Sequence, residues 1–185
     1  MSDYLNQVKI PLDRVAVLIG KDGETKEHIE KETSCSIDID SKEGEVSIQG
    51  ADPLKMFICG EITKAIGRGF NPEIAILLTK IDYVLEIISI NEFAKTQNDV
   101  IRLRGRVIGK EGKSRKIIED ILEVHICIYG KTISIIGRGE SVSLARRAVE
   151  SLLNGSTHAT VYKWLEKQRS MFKQKLNPED IIIKD

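Results

Sequence analysis

Apolar and polar residues along the chain fall into the same order of elements twice. In the first stretch, residues 7–10 are extended, and Pro11 suits the first turn of a helix that carries Val15 and Leu18. Gly20-Lys21-Asp22-Gly23 interrupts that helix, and a second one is predicted over 24–33. From 35 to 40 the period changes to two, with Cys35, Ile37 and Ile39 on one face, as in a half-buried strand. A turn over 41–44 and a strand over 45–49 follow, and Asp52-Pro53 opens a long helix that ends near 67–69.

The second stretch repeats the pattern. A strand is predicted over 83–90, and Asn98 is a candidate cap for a helix running to Val107. Residues 109–112 interrupt it, and 113–122 are helical, with Ile117, Ile118, Ile121 and Leu122 apolar. Strands over 124–129 and 132–136 meet at Gly130-Lys131, and a long helix covers 140–153. A short helical linker over 72–79 joins the two stretches, and a last helix is predicted over 160–175. In that helix Val161, Leu165 and Phe172 share a stripe, with Trp164 and Met171 beside it. The stripe packs on the second stretch, or it frees Trp164 to stack on a base. The tail 176–185 has no clear assignment.

The likeness is also one of residues. Val17-Leu18-Ile19-Gly20-Lys21-Asp22-Gly23 lines up with Arg106-Val107-Ile108-Gly109-Lys110-Glu111-Gly112 at an offset of 89 residues. Over 17–40 and 106–129, eight of 24 positions are identical, Glu30/Glu119 and Ile37/Ile126 among them. A duplicated α+β module follows, each copy running strand, helix, loop, helix, strand, strand, helix.

The glycine loops are the candidate chemistry. Glycine reaches dihedrals closed to other residues and lets a second backbone come near. The helix that starts after each loop turns its free amides and positive dipole end toward it, which favours an anion. Lys21 and Lys110 add a charge at equivalent places.

Two I-G-x-x-G loops, each between short helices and followed by two strands and a helix, resemble the KH family of RNA-binding modules. The resemblance covers roughly 7–69 and 83–154. It implies two tandem type I KH domains, each β-α-α-β-β-α with a three-stranded antiparallel sheet packed by helices, plus a C-terminal helix. The expected boundaries are 1–70 for the first domain, 71–82 for the linker and 83–155 for the second domain. The C-terminal helix then takes 156–176 and a tail 177–185. In KH modules the loop clamps the backbone of about four single-stranded nucleotides. The site residues this implies are Ile108, Gly109, Lys110, Glu111, Gly112 and Lys113, with Arg102, Arg104, Arg106, Arg115 and Lys116 around them. In the first copy they are Ile19, Gly20, Lys21, Asp22, Gly23 and Lys26. The bases of a KH ligand lie in an apolar groove, for which Val17, Ile19, Ile29, Ile37, Val107, Ile108, Ile118 and Ile126 are candidates; core packing is the other reading of each. The acidic Asp22 and Glu111 depart from the commonest KH loop, which is basic or neutral there.

Charge separates the two copies. The chain as a whole is neutral, with 28 basic and 28 acidic residues. Residues 1–80 carry 10 basic and 14 acidic residues, whereas 81–185 carry 18 and 14. Around the loops the difference sharpens. Residues 98–117 have a net charge of +5 and the equivalent 9–28 of zero. Phosphate contacts supply most nucleic-acid affinity, so the second module is the expected clamp, with the first a weaker binder or a packing platform.

Within the KH class, Arg104-Gly105-Arg106 leading into the second loop, then Tyr129-Gly130-Lys131-Thr132 and Leu153-Asn154-Gly155-Ser156, resemble the archaeal Dim-two family. That resemblance implies binding near the 3′ end of small-subunit ribosomal RNA during ribosome maturation. It also implies ribosome-assembly proteins including a processing endonuclease as partners, and translation factors besides. A KH protein of another pathway, such as RNA decay, and a mainly protein-binding scaffold are the alternatives.

Other chemistry finds little footing. Gly112-Lys113-Ser114 invites a nucleotide-binding P-loop, but that motif needs a glycine where Val107 stands. His28, His125 and His158 have no metal-ligand spacing, and Asp38 and Asp40 read as a solvated strand face. No enzyme activity, cofactor or metal is expected. Cys35, Cys59 and Cys127 are odd in number, without a C-x-x-C pair, and sit at apolar-patterned positions. They fit the core of a protein in a reducing cytoplasm. No apolar run approaches the ~20 residues of a membrane span, and the first residues lack a signal pattern.

Overall fold

The computed structural model describes residues 4–176, and side chains from 5 to 171. The tail 177–185 and the side chain of Phe172 lie outside the described residues. The first module runs β1 (Tyr4–Lys9), α1 (Leu12–Ile19), α2 (Glu24–Thr33), β2 (Ser36–Asp40), β3 (Glu45–Gly50) and α3 (Pro53–Gly67). The linker holds α4 (Pro72–Ala75) and a 3-10 turn, Ile76–Thr79. The second module runs β4 (Tyr83–Ser89), α5 (Gln97–Ile108), α6 (Lys113–Leu122), β5 (His125–Tyr129), β6 (Thr132–Arg138) and α7 (Gly139–Leu153), and α8 (His158–Leu176) closes the chain. The class is α+β, as expected, with two KH folds and a C-terminal helix. Among the described residues no helix is long and apolar enough to cross a membrane.

Each sheet is antiparallel, ordered β1-β3-β2 and β4-β6-β5. Alternate strand residues turn to the helices: Val8, Ile37, Val46 and Ile48 in the first module, Ile88, Ile126, Ile133 and Ile135 in the second. The helices close each core with Leu18, Ile29, Ile62 and Ile66, and with Val107, Ile118, Val149 and Leu152.

The outer faces of the sheets differ, and the difference joins the modules. On the first sheet Asp38, Asp40 and Glu45 are exposed, so the acidic strand face is solvated. At the same offset of 89 residues, Asp38 becomes Cys127, Asp40 becomes Tyr129 and Ser47 becomes Ile136. Ile136 is fully buried and belongs to the core of the first module, with Phe70, Ala75 and Leu78. Cys127, Tyr83 and Leu85 pack against the same core. Gly69 passes this surface so closely that a Cβ there would stand 2.8 Å from the Cys127 sulfur. The outer face of the second sheet is therefore an interface. Tyr129 fastens its end by donating its phenol O–H to the Asp13 carboxylate of α1.

Three expectations are adjusted. The cap of α5 is Thr96, not Asn98: Thr96 Oγ1 accepts the Asp99 N–H, and the Asp99 carboxylate accepts the Thr96 N–H. Two reciprocal bonds outweigh the single bond Asn98 could make. The last helix starts at His158, because Thr157 Oγ1 accepts the Thr160 N–H. Cys127 is only partly buried, unlike Cys35 and Cys59, because it sits between modules. Along α8, Val161 and Leu165 are buried in the second core, and half-buried Trp164 lies under the Arg147 guanidinium, 5.2 Å from its carbon. This part of the helix packs on its module.

Candidate nucleic-acid interface

Each glycine loop is a tight turn between two helices. In both, the first glycine accepts a dihedral pair that a side chain cannot: φ 76°, ψ 178° at Gly20 and φ 74°, ψ 176° at Gly109. This region is open essentially to glycine alone. A Cβ at Gly20 would lie 2.3 Å from Thr25 Oγ1, and one at Gly109 would lie 2.6 Å from Ser114 Cβ. The first glycine is thus required by the fold. The last glycine is different. Gly23 and Gly112 are left-handed, with φ 87° and 75°, yet a Cβ on either would meet nothing within 4 Å. Open space remains there for another molecule's backbone. Asp22 and Glu111, both at φ 53°, complete the turns with exposed carboxylates.

The helices behind the loops differ in charge. Neither α2 nor α6 has a side-chain cap. The first turn of α2 already carries Glu24 and Glu27, which oppose its positive end. The first turn of α6 has no acidic residue, and Lys113, Arg115 and Lys116 stand exposed on it beside exposed Lys110. The second loop therefore offers free amides, a dipole end and cations to an anion, while the first offers them partly cancelled. In the first loop Lys21 is exposed, and Lys26 lies 4.0 Å from Glu30.

The flanking arginines divide. Arg102 is exposed and paired with Asp99 at 3.0 Å. The Arg102 guanidinium and the Thr96 hydroxyl bonded to Asp99 hold its carboxyl below the usual range. Arg115 is exposed, 3.5 Å from Glu119. Arg104 is half-buried, with its Nε enclosed and, among the described residues, without an acceptor. Arg106 is committed elsewhere: Nε donates to Leu152 O at 2.9 Å and the terminal nitrogen to Ser156 O at 2.6 Å. It closes the end of α7, where carbonyls lack helical partners. Arg14 does the same for α3 through Ile66 O and Phe70 O, at 2.8 and 2.7 Å. His158 Nε2 donates to Arg106 O at 2.8 Å, so the start of α8 is tied to the end of α5 beside the loop.

Of the groove candidates, Val17, Ile19 and Ile108 are half-buried at the loops. Ile29, Ile37, Val107, Ile118 and Ile126 are at most 3% exposed and are core residues. They face inward because they form the stripe that closes helices on the sheet. The identical Glu30 and Glu119 also have a structural role: each Oε1 accepts a strand N–H, from Ile37 and Ile126, at 2.7 Å. These bonds hold the second helix to its edge strand. The repeat marked both positions; without the strand in place, nothing indicated what the carboxylates bind.

Residues 84–170 match the family described as eukaryotic-type KH domain (KH-domain type I), and residues 6–61 match the KH domain family. A KH domain-containing protein of Methanocaldococcus jannaschii is 49% identical over 171 residues, covering 90% of this chain and 75% of that protein. The chain belongs to the archaeal Dim2/Pno1-like family of KH-domain proteins. A chain in the crystal structure of an a/eIF2alpha–aDim2p–rRNA complex from Pyrococcus horikoshii OT3 superposes with a TM-score of 0.86. The two are 43% identical, with 91% of this chain and 95% of that chain covered. Among eukaryotic relatives, the pre-rRNA-processing protein pno1 of Aspergillus fumigatus is 30% identical over 118 residues, 62% of this chain. The chain spans about half the length of that protein, 47%.

Proposed function

We propose that this protein is a non-catalytic, cytoplasmic RNA-binding factor that holds a single strand from the 3′ region of small-subunit ribosomal RNA. The second loop, Gly109–Gly112, is the clamp in this reading. One observation carries it: the first turn of α6 is uncapped and free of acids, with open space over Gly112 and four exposed cations around it. Phosphates of the strand sit over Gly112 and accept the α6 amides, with Lys110, Lys113, Arg115 and Lys116 supplying charge. Arg102 joins them once it leaves Asp99, an exposed pair of small worth. Arg106 takes no part, since two backbone carbonyls hold its guanidinium. Ile108 lines the base side. The first loop, with acids in its first helical turn, contributes little affinity and serves the module that covers the second sheet. The rRNA and a/eIF2alpha named with the Pyrococcus relative support these partner classes; assembly factors including a processing endonuclease are further partners in this reading.

The test is fluorescence anisotropy with RNA from the 3′ end of small-subunit ribosomal RNA. Lys110→Asp should weaken binding at least tenfold, and Lys21→Asp should change it less than threefold. Equal losses, or none in Lys110→Asp, would overturn the assignment of the clamp.

A further inference from the structure

A groove of about 530 Å³ runs between the first two turns of α2 and the linker helix α4. Buried Ile29 of α2, with Pro72 and Ile76 of the linker, gives it an apolar floor. Glu24, His28 and Glu73 stand exposed on its rim, and no Lys or Arg lines it. Lys31 lies one turn beyond His28, outside the groove. Among the described residues Glu24 and Glu73 form no ion pair.

The duplication shows what this place holds in the other copy. Arg14 bonds Ile66 O and Phe70 O, and Arg106 bonds Leu152 O and Ser156 O, an offset of 86 residues at both carbonyls. The same offset sets Pro72, the start of α4, on His158, the start of α8, and buried Ala75 on buried Val161. The linker is thus a shortened counterpart of the first turns of α8. Where the linker has Pro72 and Ile76, α8 has His158 and Tyr162, their rings 6.0 Å apart and Tyr162 packed against the second core. Across from them Glu24 and His28 stand where α6 has Lys113 and Ile117. Two rings have given way to smaller apolar side chains, and a cation to a carboxylate. The first copy therefore keeps the seat, leaves room for a ring in it and reverses the charge on its rim.

We propose that this groove docks a basic segment of a partner protein, with an aromatic side chain on Ile29, Pro72 and Ile76 and flanking Lys or Arg residues against Glu24 and Glu73. The ring, desolvated on an apolar floor, supplies most of the affinity. The carboxylates are exposed, so they orient the segment and turn acidic chains away more than they add strength. They also repel a phosphate backbone, which sets this groove apart from the glycine loops. The proposal is independent of the clamp reading, and its test contains no RNA.

The probe is a synthetic peptide of Lys and Ala with one central Tyr, titrated into the isotopically labelled full chain and followed by amide NMR shifts. A second peptide has Ser in place of Tyr, and a third has Glu in place of every Lys. The Lys/Tyr peptide should shift amides of 24–29 and 71–76, and the other two should bind at least tenfold more weakly. Glu24→Gln/Glu73→Gln should weaken the Lys/Tyr peptide at least threefold. Asp38→Asn/Glu45→Gln, which removes two exposed carboxylates from the sheet face, should leave it unchanged. No binding of the Lys/Tyr peptide, shifts confined to other surfaces, full affinity for the Ser peptide, or equal losses in the two variants overturns the proposal. Sedimentation of the native protein without peptide adds one more outcome. A dimer that Glu24→Gln/Glu73→Gln dissociates would make a second copy the occupant and overturn the assignment to a partner protein.

Discussion

Alanine at Gly109 and alanine at Gly112 should damage the protein in opposite ways. At Gly109 the backbone holds φ 74° and ψ 176°, a region where a side chain costs about 1–3 kcal/mol. The new Cβ would stand 2.6 Å from Ser114 Cβ and 2.7 Å from Ser114 N, so α6 itself must shift, adding about 1–3 kcal/mol. The sum, roughly 2–6 kcal/mol, is a large part of the roughly 5–15 kcal/mol that holds a domain folded. At Gly112 the backbone is left-handed and the Cβ meets nothing, so the cost is about 1–2 kcal/mol. Binding should reverse the order. The Gly112→Ala methyl occupies the space through which a phosphate backbone approaches, and RNA affinity should fall at least tenfold in a protein that remains folded. Urea denaturation followed by circular dichroism gives the stabilities, and anisotropy at zero urea gives the affinities. Equal destabilisation by the two variants, or native affinity in Gly112→Ala, would refute the division of labour between the two glycines.

Three further outcomes are expected. Arg106→Met should cost about 1.5–3 kcal/mol, because the α7 carbonyls lose a charged donor; a fall of about 0.7 in the salt slope of RNA binding would instead put Arg106 on a phosphate. Ile136→Ala should cost about 2–5 kcal/mol by opening a cavity between the modules, and a loss under 1 kcal/mol in urea melts would show that the interface is loose. The Cys59 thiol, pushed up to about 12 by burial, should make stability fall as pH rises above the ordinary thiol range. Between roughly pH 8.5 and that value the unfolded chain gives up a proton that the native one keeps, so unfolding is favoured. Melting temperatures from pH 8 to 10 should drop less in Cys59→Ala, and an unchanged pH dependence would contradict this.

The element order could be read in the chain because local signals carry it. The period-two run of Cys35, Ile37 and Ile39 and the glycine-bounded turns specify strands and loops through dihedral and amphipathic constraints that act over a few residues. Asn98 was the wrong cap because Thr96 and Asn98 both cap helices, and what decided it was a reciprocal bond to Asp99, three residues beyond Thr96 and out of reach of a single-residue preference. The aliphatic groove candidates were ambiguous for a deeper reason. Ile118 and Ile108 have the same chemistry, and only the direction of each on its helix separates core from groove.

Charges were the hardest to place. Arg102, Arg106 and Arg115 contribute alike to a sum along the chain, yet one closes the end of a helix 46 residues away while the others face solvent. A guanidinium's partner is set by what folds beside it. With burial known, the repeat explains the two sheet faces: Asp38 stands where the second copy has Cys127 and Ser47 where it has Ile136, so one face is wet and the other dry. Neither the dry face nor what covers it was legible in the strand pattern, because apolar surface is recognised without direction.

By itself, then, the sequence determined two copies of a glycine-loop module and their unequal charge, both consequences of local conformation and composition. Only the tertiary structure decided which arginines remain free, that the first module sits on the apolar face of the second sheet, and that Glu24 and Glu73 line one groove. Those outcomes depend on distances between residues far apart in the chain, which exist only once the modules have packed.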